Sequence, residues 1–385
     1  MNFEFATANR IIFGPGSLAR VAPLVQQMGS KALVVMGNSI QRVIPLLEQL
    51  KVLRLDYVTF GVPDEPTTDL IDEALAKARE AEIDIVIGFG GGSVIDAGKA
   101  ISALMTNPGE VMRYLEVIGE GQPLIEAPLP YIAIPTTAGT GTEVTKNAVL
   151  LSKEHRVKVS LRHNLMIPDV AVIDPELTYS MPPEVTASTG LDALTQLIEP
   201  YVSNQANPLT DALCREGIQR AARSLTAAYN DGNNAAARED ICIASLFGGL
   251  ALANAKLGAV HGFAGPLGGL FDAPHGAICA RLLPFVMETN IQALKQRDPG
   301  SMILDRYFEV ARLVMGNPAA SMQDGATWAH ELIQTLNISP LSQYGMTQSD
   351  IPVMVEKAKH ASSMKGNPLP LMDEECTAIL TQALG

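Results

Sequence analysis

The sequence predicts an α/β domain built on a parallel sheet over residues 1–181, followed by an all-helical domain over residues 182–385. Three observations carry this. In the first half, short β-branched runs alternate with amphipathic helical stretches, the pattern of a parallel sheet covered by helices. After Met181-Pro182-Pro183 the texture turns to Ala-, Leu- and Gln-rich periodic segments with no alternating strand. The 385 residues also exceed what a single hydrophobic core usually supports.

Strands are expected at 32–36, 56–60 and 84–89. Between the last two, Leu70, Ile71, Ala74, Leu75 and Ala78 recur at helical spacing. Thr67 and Thr68 precede them, hydroxyl residues suited to cap the first free N–H groups of a helix. Strand, helix and strand make a βαβ unit. Residues 132–137, 148–152, 157–161 and Val170–Ile173 read as further strands with little helix between them, so the sheet domain is expected to finish with extra strands near Asp174-Pro175. Pro182 and Pro183 suit a helix start, where a missing N–H costs nothing.

Composition excludes several classes of function. The formal net charge of −13 repels the phosphates of nucleic acid and anionic membrane surfaces, so neither is expected as a partner. Cys214, Cys242, Cys279 and Cys376 are scattered with no C-x-x-C pair, which reads as buried thiols in a reducing compartment. Met1-Asn2-Phe3-Glu4-Phe5 carries an acid where a secretory signal has a basic segment, and the expected location is cytoplasmic. Residues 241–271 hold Lys256 as their one charged residue, yet glycines and Pro266 interrupt them. The uncharged runs on either side fall short of the ~20 residues of a spanning helix, so buried core helices are expected there.

Two loops point to a nucleotide. Ile85-Val86-Ile87-Gly88-Phe89-Gly90-Gly91-Gly92-Ser93 runs from an apolar strand through glycines into a helix start with Asp96 and Lys99. Glycines let the backbone approach a pyrophosphate closely, and the N–H groups of the helix N-terminus favour its charge. The spacing matches neither G-x-G-x-x-G nor the P-loop, since both need a glycine where Ser93 stands. A second loop, Pro135-Thr136-Thr137-Ala138-Gly139-Thr140-Gly141-Thr142-Glu143, follows another strand. Two polar glycine loops at strand ends are what an open α/β sheet needs at its ligand crevice.

A third constellation points to a metal. Asp192 and Gln196, four apart in a predicted helix, share a face. His261 and His275 are separated by Pro266, Gly268, Gly269 and Pro274, so they belong to different elements. Two imidazoles and a carboxylate converging from separate elements suit zinc or iron(II). His155, His163, His330 and His360 show no such company.

Taken together, these segments resemble the iron-containing (group III) alcohol dehydrogenase family over most of the chain. The resemblance rests on Gly90-Gly91-Gly92-Ser93 with Asp96 and Lys99, on the Thr136 to Glu143 loop, and on Gly190-Leu191-Asp192-Ala193-Leu194 with Pro266-Leu267-Gly268-Gly269 through Pro274-His275-Gly276. It implies an oxidoreductase moving a hydride between NADP or NAD and a small alcohol or aldehyde. A divalent metal, iron(II) or zinc, would polarise the substrate oxygen. By resemblance the first loop binds the pyrophosphate, Thr136, Thr137, Thr140 and Thr142 flank the phosphates and nicotinamide ribose, and Lys158 and Leu177 line the cofactor cleft. Asp192, His261 and His275 are then metal ligands and catalytic residues. The family's fourth ligand is usually His where Gln196 stands, and a polar His is frequent where Gly265 stands. Gln196 offers a carbonyl oxygen instead, a weaker and harder donor than imidazole.

The resemblance further implies an active site between the two domains, gated by their closure, and a homodimer or higher homo-oligomer. Cofactor choice turns on Gly37, Ser39 and Arg42 at the end of an early strand, where the adenosine ribose should lie. NAD-specific relatives carry Asp at the position of Gly37, whereas Gly with hydroxyl and basic neighbours suits a 2′-phosphate, so NADP(H) is the expected preference. Three rivals stand beside this reading. A metal-independent maleylacetate-type reductase and a nucleotide-binding pseudoenzyme both accommodate the substitution at Gln196. An iron(II) oxygenase shares the two-His-one-carboxylate set and leaves both glycine loops unexplained.

Overall fold

The computed structural model describes residues 2–155 and 157–385, which divide into two compact units. One comprises Thr7–Thr137 and Thr142–Thr178; the other comprises residues 2–6, Ala138–Gly141 and Tyr179–Gly385.

The first unit is built on a parallel six-stranded sheet. Its strands are β1 (Arg10–Phe13), β2 (Lys31–Met36), β3 (Asp56–Gly61), β4 (Ile85–Gly90), β5 (Tyr131–Pro135) and, after a separate hairpin, β8 (Val170–Ile173). They lie in the order β1-β8-β5-β4-β2-β3, every neighbour parallel. Both faces are buried, which is why the strands read as continuous apolar runs. Along β2, Leu33 and Val35 join one apolar cluster with α3 (Thr68–Glu80) and α4 (Gly92–Thr106). Ala32 and Val34 join the other, with α1 (Val21–Met28) and α2 (Ile40–Val52). Each fully buried Leu or Val contributes about 1.5–3 kcal/mol. Thr67 caps α3 as expected, its hydroxyl accepting from the Leu70 N–H at 3.2 Å.

Two details differ from the sequence expectation. Arg10–Phe13 forms the edge strand β1, which no periodic signal announces because four half-buried residues are too few to show alternation. The runs at 148–152 and 157–161 do not extend the main sheet. They form the antiparallel pair β6 (Asn147–Ser152) and β7 (Val157–Arg162), whose Ala148, Leu150, Val159 and Leu161 pack into the α3–α4 cluster.

The second unit is helical from α5 (Pro183–Val202) onward, through α6 (Pro208–Asn230), α7 (Ala235–Asn254), α8 (Ala259–Leu270), α9 (His275–Arg297), α10 (Met302–Met315), α11 (Met322–Thr335), α12 (Ile351–His360) and α13 (Asp373–Ala383). Pro183 opens α5 at its first position and Pro208 opens α6 behind an Asn207 capping box. The stretch from Gly190 to Val202 of α5 is buried on all sides, with α6, α7 and α9 packed around it. The apolar region 241–271 becomes α7 and α8, bent by 96° and largely buried. Among the described residues no single helix is long and apolar enough to cross a membrane.

Candidate functional site

In the helical unit, α5 presents Asp192, Gln196 and Glu199 at positions i, i+4 and i+7 of one face, all buried. His261 comes from the first turn of α8, and His275 is the first residue of α9. The helix between them runs through Pro266 to Leu270, so the break falls at 271–274. Asp192 Oδ1 lies 3.4 Å from His261 Nε2 and 3.8 Å from His275 Nε2.

A fourth group joins them. Cys279, one turn into α9 from His275, sets its sulfur 3.8 Å from His261 Nε2 and 3.6 Å from His275 Nε2. The four donor atoms lie within 4.8 Å of one another. Sequence reading placed Cys279 among inert buried thiols; its i, i+4 spacing from His275 was the available signal.

Glu199, also unforeseen, positions His261. Its Oε2 accepts from His261 Nδ1 at 2.6 Å and its Oε1 from the Val260 N–H at 2.7 Å. Since a carboxylate only accepts, Nδ1 carries the proton and Nε2 faces Asp192. Such a carboxylate behind an imidazole fixes its tautomer and raises its basicity as a ligand. Gln196 Nε2 donates to Asp192 Oδ2 at 3.0 Å, while its own Oε1 is buried with no hydrogen-bond partner among the described residues.

The cluster fits a cation. Among the described residues Asp192 Oδ1 is buried with no donor at hydrogen-bond geometry, and the two imidazoles are its polar neighbours, a setting that a cation would complete. The electrostatics agree. Burial works against the Asp192 charge, yet the neighbouring His261 and His275 hold its carboxyl below the usual range. Burial likewise opposes charge on His261, and the adjacent Cys279 and Glu199 override it, raising that imidazole well above its ordinary value. His275 is raised chiefly by its proximity to Cys279.

In the α/β unit Gly37, Gly90 to Ser93, Thr136 and Thr137 of the predicted cofactor residues lie at the carboxyl ends of β2, β4 and β5. The strand order reverses between β2 and β4, and ligands of open α/β sheets bind beyond the carboxyl ends at such a point. Met36 pairs with Phe89 and Gly90 with Pro135. By this register Gly37 is level with Gly90 and Gly91 with Thr136, so the three loops leave three adjacent strands within one residue of each other. Gly90 ends β4, Gly91 is the N-cap of α4, and Gly92 and Ser93 form its first turn. A Cβ on Gly90 would fall 2.5 Å from a Val94 methyl, so only glycine fits. A Cβ on Gly37 would meet nothing nearer than Val94 at 3.9 Å.

Ser39 is the N-cap of α2, and Arg42 in its first turn donates from Nη2 to the carbonyls of Leu177 at 2.8 Å and Thr136 at 3.3 Å. Arg42 thus ties two rim loops together rather than standing in solvent. Asp96 is engaged within the unit: its Oδ1 accepts from Thr142 Oγ1 at 2.5 Å and its Oδ2 from the Val149 N–H at 3.0 Å. The wholly buried Lys99 completes that network, 3.1 Å from Asp96 and donating to Thr142, Thr145 and Asn147. Burial pushes the adjacent Glu143 carboxyl up to about 7. Lys158 on β7 pairs with Glu65 at 3.0 Å. Thr137 lies against Gly91, its side chain 3.4 Å from where a Cβ there would stand. Thr140 belongs to the Ala138–Gly141 segment of the helical unit.

Comparison with known proteins agrees over the whole length. The profile of the family described as iron-containing alcohol dehydrogenase matches residues 8–175, and that of its C-terminal region matches residues 186–384. Alcohol dehydrogenase 4 of Saccharomyces cerevisiae is 36% identical over 377 residues, 96% of each chain. The 1,3-propanediol dehydrogenase of Klebsiella pneumoniae is 34% identical over 394 residues, covering 99% of this chain and 98% of that protein. The crystal structure of a 1,3-propanediol oxidoreductase superposes with a TM-score of 0.91 at 34% identity, covering 100% of both chains. The chain belongs to the iron-containing alcohol dehydrogenase family and is an oxidoreductase linking NAD(P) to alcohols and aldehydes, with a divalent metal.

Proposed function

We propose that this enzyme interconverts alcohols and aldehydes at Asp192, His261 and His275, which hold one divalent ion, iron(II) or zinc, and that it prefers NADP(H). Residues 1–181 bind the dinucleotide and residues 182–385 the metal and substrate. The observation that carries this reading is the buried, unpartnered Asp192 Oδ1 facing two imidazole Nε2 atoms. When bound, the ion supplies Lewis acidity toward the substrate oxygen. The nicotinamide supplies or accepts the hydride.

The residues do the rest. Glu199 holds the proton of His261 on Nδ1, leaving Nε2 as the donor. Gln196 restrains Asp192 through its second oxygen. The glycines at 90–92 admit the pyrophosphate to the N-terminus of α4, with Ser93, Thr136, Thr137 and Thr142 of the same unit as the polar residues offered to it. Asp96, Lys158 and Leu177 support that rim. The absence of an acid at Gly37, together with Ser39 and Arg42 nearby, favours a 2′-phosphate.

The substrate proposed is a medium-chain alcohol or aldehyde, because a side chain at Gly265 would meet open space where relatives carry His. Phe263 is wholly buried in the core of the helical unit. A cytoplasmic homodimer or higher homo-oligomer completes the reading. Two measurements test it together. Elemental analysis of chelator-free protein should find one divalent ion per chain in wild type and a clear loss in His275→Ala. A panel of aldehydes assayed with both reduced cofactors should favour medium chains and NADPH. Equal metal in both proteins removes His275 from the site, and activity confined to short polyols removes the substrate assignment.

A further inference from the structure

We propose that Cys279 is a fourth protein ligand of the ion, its thiolate joining Asp192 Oδ1, His261 Nε2 and His275 Nε2, while Gln196 acts on the site only by holding Asp192. This rests on the metal reading above and supplies the donor that reading lacks. The argument begins with distances. Bond lengths of ~2.0–2.3 Å to a tetrahedral ion place a nitrogen and an oxygen donor ~3.3 Å apart and a sulfur and a nitrogen ~3.6 Å apart. The separations here are 3.4 and 3.8 Å from Asp192 Oδ1 to the two imidazoles, and 3.8 and 3.6 Å from Cys279 Sγ to the same nitrogens. These are the edges of a coordination polyhedron already gathered by the fold.

The position of Cys279 follows from α9. Four residues after His275 it lies on the same helix face, and its side chain is buried, so the sulfur is directed into the cluster. A thiol serving only as a hydrogen-bond partner is a weak one. As a thiolate it gives the site two anionic donors, matching the charge of a divalent ion in a place where unbalanced charge is expensive. Gln196 is the less suitable donor: its free Oε1 is a neutral amide oxygen, harder than a thiolate, and brings no charge to balance the ion.

The test loads the full chain, stripped of metal by chelation, with cobalt(II), and reads its absorption. The expected result is a sulfur-to-cobalt charge-transfer band in the near ultraviolet alongside the visible d–d bands. Cys279→Ser should keep the d–d bands, lose the charge-transfer band and bind cobalt roughly 10–100-fold more weakly, at least the loss typical of second-shell changes. Gln196→Ala should retain the charge-transfer band. Cys214→Ser, Cys242→Ser and Cys376→Ser should each retain it too, which assigns the sulfur by elimination if Cys279→Ser does not fold by circular dichroism. Cobalt bound by wild type with no charge-transfer band, or a band that survives Cys279→Ser, overturns the ligand assignment and leaves the three-ligand reading standing. Failure of wild type to bind cobalt at all overturns both.

Discussion

At the scale of single residues, the site is a cluster of polar side chains, buried at Asp192 and Cys279 and partly open at His275. Asp192, His261 and His275 were legible in the sequence because His and Asp in glycine- and proline-marked segments are conspicuous. Cys279 and Glu199 were not, because a cysteine among apolar residues and a glutamate in a helix read as ordinary until their neighbours are known. Glu143 is a parallel case in the α/β unit, and it yields a pH prediction. Burial raises its carboxyl from the ordinary 4.5 to about 7, so the folded state holds this proton more tightly than the unfolded one. Its contribution is most favourable below the unfolded value, erodes between about 4.5 and about 7, and is constant above. At 1.36 kcal/mol per unit the loss is on the order of 3 kcal/mol. Glu143→Gln should therefore gain stability over wild type on going from pH 5 to pH 8 in urea titrations. A difference between the two proteins that does not change with pH would remove Glu143 from this role.

At the scale of elements, the cofactor rim depends on where strands end. The reversal of strand order between β2 and β4 brings Gly37, the glycines at 90–92 and Thr136 to adjacent positions although they are far apart in the chain. This sharpens the cofactor prediction. Because Arg42 also ties the carbonyls of Leu177 and Thr136, replacing it would loosen two loops as well as remove a charge. Gly37 is the cleaner probe, since a side chain there has room. Gly37→Asp is expected to move the NADP(H)/NAD(H) ratio of kcat/KM toward NAD(H) by on the order of tenfold, through repulsion of the 2′-phosphate. Steady-state kinetics with both cofactors decide it. An unchanged ratio would place the ribose elsewhere.

At the scale of the whole molecule, the proposed metal binding would be linked to folding, because the proposed donors come from α5, α8 and α9, which only the folded helical unit brings together. Removing the ion should therefore lower the melting temperature. Free metal at a hundredfold excess over Kd stabilises by about 2.7 kcal/mol, and His275→Ala should show a smaller difference between metal-loaded and chelated protein. Differential scanning calorimetry on the four samples measures this; equal shifts would mean the ion binds elsewhere.

What the sequence determined alone was the alternation of strand and helix, the change to helices after Met181, the two glycine loops and three side chains that the fold gathers, Asp192, His261 and His275. Each of these is written in local periodicity or in residue types with few other uses. Only the tertiary structure decided that Arg10–Phe13 is an edge strand, that β6 and β7 stand apart from the main sheet, and that Arg42 ties loops together. It also decided that Cys279 lies among Asp192, His261 and His275 and that Glu199 stands behind His261. The physical reason is the same throughout: pairing of short strands and convergence of buried polar atoms are set by contacts between distant segments, which no local pattern encodes.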